Sequence, residues 1–417
     1  MSDDFLQDFH HAATIGAVGD RGVDRQAATS EDAQIRTWFA RWIEAAGFAV
    51  HVDQIGSMFG LVEWTPGAPF VLIGSHLDSQ PRGGRFDGAY GVIAAMHAAK
   101  RVDARVRRDR RPPRFNLAVV NWFNEEGSRF APSVMGSSVF AGIFDGARML
   151  AATDAEGVTV RQALQETAFL GDDRRPTPVS YAEIHIEQGR ILERDGIDLG
   201  LVDRSWHTQK LDIEVLGEQS HTGATAMADR HDALVAASRI VLMVNEVTDD
   251  FEPEVLVSSV GQLNVAPNSP IVVPGRVHLV ADLRSSDPEI VSAARVILLT
   301  RISELAQRAD LTINVEDFDV RPVRHFPQDG LELCGRLASG LGYSARRIQT
   351  MAGHDAVSMN TMVPSALVFI PSVGGVSHCE REFSTDEAMV RGMELLTRLA
   401  HELVGGALVD DGDGTRV

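Results

Sequence analysis

The stretch FVLIGSHLDSQPRGGRFDGAYGVIAAMHAAK, residues 70–100, decides the fold. Phe70 to His76 is an apolar run closing on an imidazole, the pattern of a strand buried on both faces. GGRFDGAYG (83–91) is a Gly-rich loop, and IAAMHAAK continues as a helix. Three later runs repeat the theme. FNLAVVNWF (115–123) leads into Glu125-Glu126. YAEIHIEQ (181–188) alternates apolar and polar residues, as a half-buried strand does, and carries His185. SALVFIPS (365–372) leads through Gly374-Gly375 to His378. Helical periodicity fills 30–47, opening on a cap and acidic first turn at Ser30-Glu31-Asp32, and returns at 384–405. Strands alternating with helices predict an α/β fold, whose chemistry gathers outside the strands' carboxyl ends.

The middle of the chain follows a different order. LDIEVLG (211–217), EVLVSSVGQLNV (254–265), GRVHLVADLRS (275–285) and LTINVEDF (311–318) read as strands. Residues 224–247 and 287–310 read as helices. This β-α-β-β-α-β order predicts a ferredoxin-like module. The expected domains are therefore an α/β domain over 1–207 and 323–417, with an insert at 208–322.

Net charge is -19, which excludes the basic surface that a nucleic-acid or anionic-membrane partner requires. The Arg-rich run 101–114, ending in Pro112-Pro113, reads as a solvated connector. Hydrophobic residues make up 44% of the chain, enough for a core. Two cysteines, Cys334 and Cys379, give no disulfide framework, which fits a cytoplasmic setting. No secretory leader is read at MSDDFLQDFHHAATIG, and VDDGDGTRV (409–417) reads as a polar tail.

The candidate site follows from residue type and position. His76 and Asp78 lie two apart, so on extended backbone they point the same way. His76 is then a metal ligand and Asp78 its orienting partner. Asp87 lies between Gly83-Gly84 and Gly88, where backbone can wrap closely and a carboxylate can bridge two cations. Adjacent acids after a strand take different roles: Glu126 binds metal and Glu125 handles a proton. Each residue has an ordinary alternative: a polar strand terminus, an Asp-Gly turn, two solvated acids, a half-exposed sheet histidine, a loop histidine. Three histidines and two acids, all at strand ends or Gly loops, rarely coincide by chance. Mixed His and carboxylate ligation without Cys suits Zn, Mn, Ni or Co.

These residues resemble the binuclear-metal amidohydrolases of the M20 peptidase superfamily. They are most similar to its hydantoinase/carbamoylase branch, which includes N-carbamoyl-L-amino-acid hydrolases, allantoate amidohydrolases and β-ureidopropionases. The strings that carry the resemblance are GSHLDSQPRGGRFDGAYGV, NEEGSRFAPSVMGSSVFAG, EIHIEQGRILE, GEQSHTGATAM, VPGRVHLVADLRS, AGHDA and SVGGVSHCERE, spread over roughly 70–385. The resemblance implies two divalent metals on His76, Asp87, Glu126, His185 and His378, with Asp87 bridging. It implies Glu125 as base and acid, His221 as a polariser of the scissile carbonyl, and Arg284 as the grip on a substrate carboxylate. Gln188, Gly374 and Gly375 would touch substrate. The insert would be a lid that also forms a homodimer. One position departs from the pattern: Ile271 stands where the branch has an Asn that shares the carboxylate, leaving Asn268 or Asn264 to substitute. His354-Asp355 would play a supporting part.

The expectation is a metal-dependent hydrolase of a linear C–N bond in a small, carboxylate-bearing carbamoyl or ureido compound. Its rivals are allantoate or ureidoglycolate hydrolysis, aminoacylase or dipeptidase action, and a non-catalytic dimeric binding protein with a relic site.

Overall fold

In the computed structural model, which describes residues 2–409, the longer strands are, in chain order, β1 (Ala49–Val52), β2 (Met58–Val62), β3 (Phe70–His76), β4 (Asn116–Trp122), β5 (Pro178–Ile186), β6 (Leu199–Ser205), β7 (His207–Leu216), β8 (Val257–Ala266), β9 (Arg276–Ser285), β10 (Thr312–Arg321), β11 (Ala345–Thr350) and β12 (Ser365–Ile370). The polar tail read at 409–417 lies, but for Val409, outside the described residues. The chain divides into two compact units, one running to Arg204 and resuming at His325, the other Ser205–Arg324.

The first unit is built on an eight-stranded sheet in the order β11-β6-β12-β5-β3-β4-β2-β1. The four central strands, β12, β5, β3 and β4, are mutually parallel, while β2 and β6 pair antiparallel on either side of them. Parallel strands are covered on both faces, which is why β3 and β4 are mostly apolar and buried throughout. On one face, Val71, Ile73, Val119 and Ile184 pack with Val92 and Met96 of helix Ala89–Asp109 and with Met393 and Leu396 of helix Asp386–Val404. On the other, Leu72, Val120, Trp122, Tyr181 and Leu367 pack with Met359. Each such side chain contributes about 1.5–3 kcal/mol through burial. Because the central strands run the same way, their carboxyl ends meet along one edge.

Three sequence expectations shift here. The first long helix, Ser30–Ala45, is capped by Thr29, whose side chain accepts from the Asp32 amide. Residues 101–109 are not a connector but the end of helix Ala89–Asp109. Arg107 pairs with Asp103 at 2.7 Å and Arg105 with Asp109 at 3.6 Å, each one helical turn apart, and the helix stops at Arg110 just before the two prolines. Strand β5 is buried from Ser180 to Ile186 rather than half-exposed. Its alternation is real, but its polar side faces other buried polar groups: Glu183 accepts from Ser75 Oγ at 2.6 Å and from the Ala356 amide at 2.7 Å.

The second unit is a four-stranded antiparallel sheet, β8-β9-β7-β10. One face is covered by helices Ala233–Glu246 and Pro288–Ala309. The first of these starts at Ala233, well after 224, because the Asp232 side chain accepts from the amides of Leu234 and Val235 and so sets the start. The unit is closed at its base by Ser205, whose N–H donates to the Arg324 carbonyl at 2.9 Å and whose Oγ accepts from Arg324 N–H at 3.0 Å. Among the described residues, no helix is long and apolar enough to cross a membrane.

Candidate metal centre

Each of the four parallel strands delivers a ligand-type side chain to the shared edge. His76 is the last residue of β3, and His185 the penultimate residue of β5. Glu125 and Glu126 follow β4, where Asn124 at φ 51° breaks the extended backbone and turns the chain. His378 follows β12 at the end of a short loop. Asp87 comes from the loop between β3 and helix Ala89–Asp109, and its neighbour Gly88 cannot be replaced there. With φ at 61°, a Cβ on Gly88 would fall 2.3 Å from the His76 ring.

Asp87 is the hub. Its Oδ1 lies 3.4 Å from His76 Nε2 and 3.0 Å from His185 Nε2, while its Oδ2 lies 3.4 Å from His378 Nε2. His378 Nε2 is also 3.5 Å from Glu126 Oε2, and Glu125 Oε2 is 3.5 Å from His76 Nε2. Two groups of possible metal ligands therefore share this aspartate, His76-Asp87-His185 and Asp87-Glu126-His378. A third, Glu183-His185-His354, reuses His185 deeper in the sheet.

The surroundings hold these groups in place. Asp78 accepts from the backbone N–H of Glu125 and Glu126, each at 3.2 Å, and its carbonyl oxygen meets His76 Nδ1 at 3.0 Å. It thus ties the end of β3 to the end of β4 and sets the His76 ring, with Nε2 directed at Asp87. Gln80 donates to Glu126 from its amide N–H at 3.1 Å and from Nε2 at 2.9 Å. Gln188 Nε2 donates to Asp87 Oδ2 at 2.6 Å.

Charge dictates what this pocket accepts. Burial and the charge of Asp87 push the Glu126 carboxyl up, and burial together with the nearby Asp355, Glu126 and Asp87 holds Glu125 well above the usual carboxylate range despite His76. Burial alone would also lift Asp87, but the three imidazoles hold it well below. Burial opposes charge on His76 and His185; the carboxylates around them prevail and raise both. Clustered buried acids that draw protons onto their histidine neighbours form a site suited to added positive charge. Nitrogen and oxygen donors without thiolate match divalent Zn, Mn, Ni or Co.

The other predicted positions divide. Gly374 and Gly375 both have positive φ, but their amides are already engaged, Gly374 with Glu193 Oε2 at 2.8 Å and Gly375 with the Ser372 carbonyl at 3.1 Å. Those N–H groups are thus taken up by the Glu193 side chain and by the turn. His354 and Asp355 do not pair with each other: His354 Nε2 meets Thr350 Oγ1 at 3.1 Å and its ring stands edge-on to His185, 4.6 Å between centroids. His221, Asn268 and Arg284 belong to the second unit. The His221 Nδ1 accepts from the amides of Gly223 and Ala224, both at 3.0 Å, so its proton resides on Nε2. Arg284 Nη2 lies 2.6 Å from Asp282 Oδ2. Asn268 is exposed in the loop after β8.

Sequence reasoning missed Glu382, which lies inside SVGGVSHCERE but was given no role. Its Oε1 accepts from the amides of Phe86 and Asp87, both at 3.0 Å, and its Oε2 accepts from Ser377 Oγ at 2.7 Å. Ser377 Oγ also lies 3.2 Å from Asp87 Oδ2. Glu382 therefore fixes the loop that presents the hub. Glu183 was missed as well; its position two residues before His185 on one strand face was the available signal.

The chain matches Peptidase family M20/M25/M40 over residues 72–402. It is 48% identical to a Mycolicibacterium smegmatis protein that carries only a general hydrolase name, over 99% of this chain and 95% of that one. It is 35% identical to an N-carbamoyl-L-amino-acid amidohydrolase of Rhizobium meliloti, over 92% of each. A crystal structure of an amidase of the hydantoinase/carbamoylase family from Burkholderia vietnamiensis superposes with a TM-score of 0.91 at 33% identity, covering 98% of both chains.

Proposed function

Because the chain belongs to the M20/M25/M40 peptidase family, we propose that it is a metal-dependent amidohydrolase that cleaves the linear C–N bond of a small carbamoyl or ureido compound, such as an N-carbamoyl-L-amino acid. The observation that carries this reading is Asp87, whose two oxygens face two separate sets of His and Glu donors beside Glu125. His76, His185 and Asp87 would hold one divalent ion, and Asp87, Glu126 and His378 a second. Bound there, the ions supply Lewis acidity that makes hydroxide available near neutral pH.

The chain's own groups do the rest. Glu125 takes a proton from the attacking water and returns it to the leaving nitrogen, a transfer favoured by its raised pKa. His221, with its proton fixed on Nε2, donates to the developing oxyanion. Arg284 binds the substrate carboxylate. The inserted β-α-β-β-α-β unit, which carries His221 and Arg284, acts as a lid and as the contact of a cytoplasmic homodimer.

The decisive experiment measures ammonia release from N-carbamoyl amino acids, allantoate and N-acyl amino acids after reconstitution with Mn, Zn, Co or Ni, alongside metal content. Release from carbamoyl or ureido compounds is the expected result. Cleavage of acyl amino acids alone would assign aminoacylase action. A metal-loaded protein inert on all of them would be a binding protein.

A further inference from the structure

The helix Ser2–Ala12 supplies no ligand to the metal centre, yet it packs against the loop that does. Its apolar residues recur at helical spacing: Phe5, Phe9 and Ala12 are all buried, in one core with Phe86 and Tyr90. Phe5 stands edge-on to Tyr90 and to His97, with ring centroids 6.3 and 5.5 Å apart. Asp8 Oδ2 lies 2.9 Å from His97 Nε2. These contacts fix the first helix to helix Ala89–Asp109.

Phe9 reaches elsewhere. Its ring lies 5.0 Å from that of Phe86, the residue immediately before Asp87. Phe86 in turn stands edge-on to Phe383, 5.7 Å between centroids. Phe383 directly follows Glu382, whose carboxylate accepts from the amides of Phe86 and Asp87. One residue is thus held by a ring on either side and by a hydrogen bond at its own amide. Aromatic pairs at this spacing contribute beyond the area they bury, and a close-packed ring leaves the adjoining backbone little room to move.

The chain after the helix braces the same stretch. Arg25 is buried and donates from Nη1 to the carbonyls of Ala12 and Ile15, both at 2.9 Å, which serves acceptors that a helix end leaves open. Its backbone pairs twice with Ser79, the neighbour of Asp78. The Arg25 N–H donates to Ser79 Oγ at 2.9 Å, and its carbonyl accepts from the Ser79 N–H at 3.1 Å. Val23 N–H donates to the Gly83 carbonyl at 3.0 Å. The segment therefore meets the loop near Asp78, at its glycines and beside Asp87.

We propose that Phe9 is a positioning residue of the metal centre, acting through Phe86 to hold Asp87 where the two ligand groups share it. This rests on the reading of Asp87 as the shared metal ligand given above. Both groups use Asp87, so a displacement of that one side chain disturbs both at once. Support from Phe9 is then read in metal affinity, beyond any effect on stability.

Phe9→Leu and Phe5→Leu each remove one ring from the same helix, and so serve as test and control. Chelator competition with Zn, on full-length proteins well below their thermal transitions, should show affinity about tenfold or more weaker in Phe9→Leu and unchanged in Phe5→Leu. In a Phe86→Leu background, Phe9→Leu should add little further loss, because the two residues act as one unit. Affinity unchanged in Phe9→Leu, equal losses in the two single variants, or full additivity in the double variant would overturn the proposal. A metal-free measurement separates this from failure of the functional reading. Amide hydrogen exchange in chelator-treated protein should be faster at Phe86 and Asp87 in Phe9→Leu than in wild type or Phe5→Leu. Unchanged exchange at those two amides would remove Phe9 from the support of Asp87 even if the chain bound no metal.

Discussion

At the carboxyl edge of β3, β5, β4 and β12, the acidic groups are buried and held by backbone amides. On the outer face of β7, β9 and β10, charged side chains hold one another. Asp78 accepts from two amides and Glu382 from two more, so the first region is fixed by the fold itself. Arg284 and Arg321 are each paired with a carboxylate on the same strand, so in the second region side chains brace side chains. Chemistry that needs atoms placed within a few tenths of an ångström belongs in the first kind of site; a grip on a flexible ligand tolerates the second.

The largest effect expected from this contrast is at Glu125. Glu125→Gln keeps the shape and the backbone bonds to Asp78 but removes the proton acceptor. Turnover should fall about 10²–10⁴-fold with metal content unchanged, checked by ammonia release and elemental analysis on the same sample. Retained activity would show that the buried edge does not supply the base. His221→Ala probes the other region. Loss of one oxyanion donor should lower kcat by about 10²–10³-fold with KM little moved. A change confined to KM would place His221 in binding and erase the proposed division of labour.

A smaller effect is expected one layer behind the hub. Glu382→Gln keeps an acceptor for the amides of Phe86 and Asp87 but removes a charge that burial and the neighbouring Asp87 already push up to about 7. Metal affinity, read by chelator competition, should drop about 10–100-fold, while kcat at saturating metal changes far less. An unchanged affinity would mean that the Glu382 charge plays no part in presenting Asp87 to the metal.

The two regions also differ in how readable they were. Phe70–His76 and the run before Glu125 are mostly apolar because parallel strands are covered on both sides, so the end of each run marks where a functional group emerges. Asp87 was readable because glycines flank it. Strand β5 misled, since alternation looks the same whether polar residues face water or face one another inside a protein. Glu382 could not be read, because its partners Phe86 and Asp87 lie 296 and 295 residues away in sequence. That Arg284 stands opposite Thr208, and Thr208 opposite Arg321, was hidden for a related reason: antiparallel register, including a shift between Asp317 and Asp319, sets which residues face one another.

A last effect, on stability rather than on turnover or metal binding, isolates burial from chemistry. Asp53 is as buried as the groups at the site but serves a turn, its Oδ1 accepting from the amides of Ile55 at 3.1 Å and Ser57 at 2.9 Å. Burial pushes its carboxyl up to about 6, against the opposing pull of the Ser57 amide and Arg175. A carboxyl that binds its proton more tightly in the folded chain stabilises the protein least when ionised. Its penalty is absent below the unfolded value near 3.8, grows as pH rises toward about 6, and is constant above that. Asp53→Asn keeps the acceptor oxygen and removes the ionisation. The variant should match wild type in thermal stability near pH 4 and exceed it at pH 8, by up to about 3 kcal/mol for a shift of about two units. Metal affinity should be the same in both proteins, unlike the outcome for Glu382→Gln. A gain of equal size at both pH values would show that the turn geometry, not the buried charge, sets the cost. In that case the raised carboxyls at the sheet edge would need a cause other than burial.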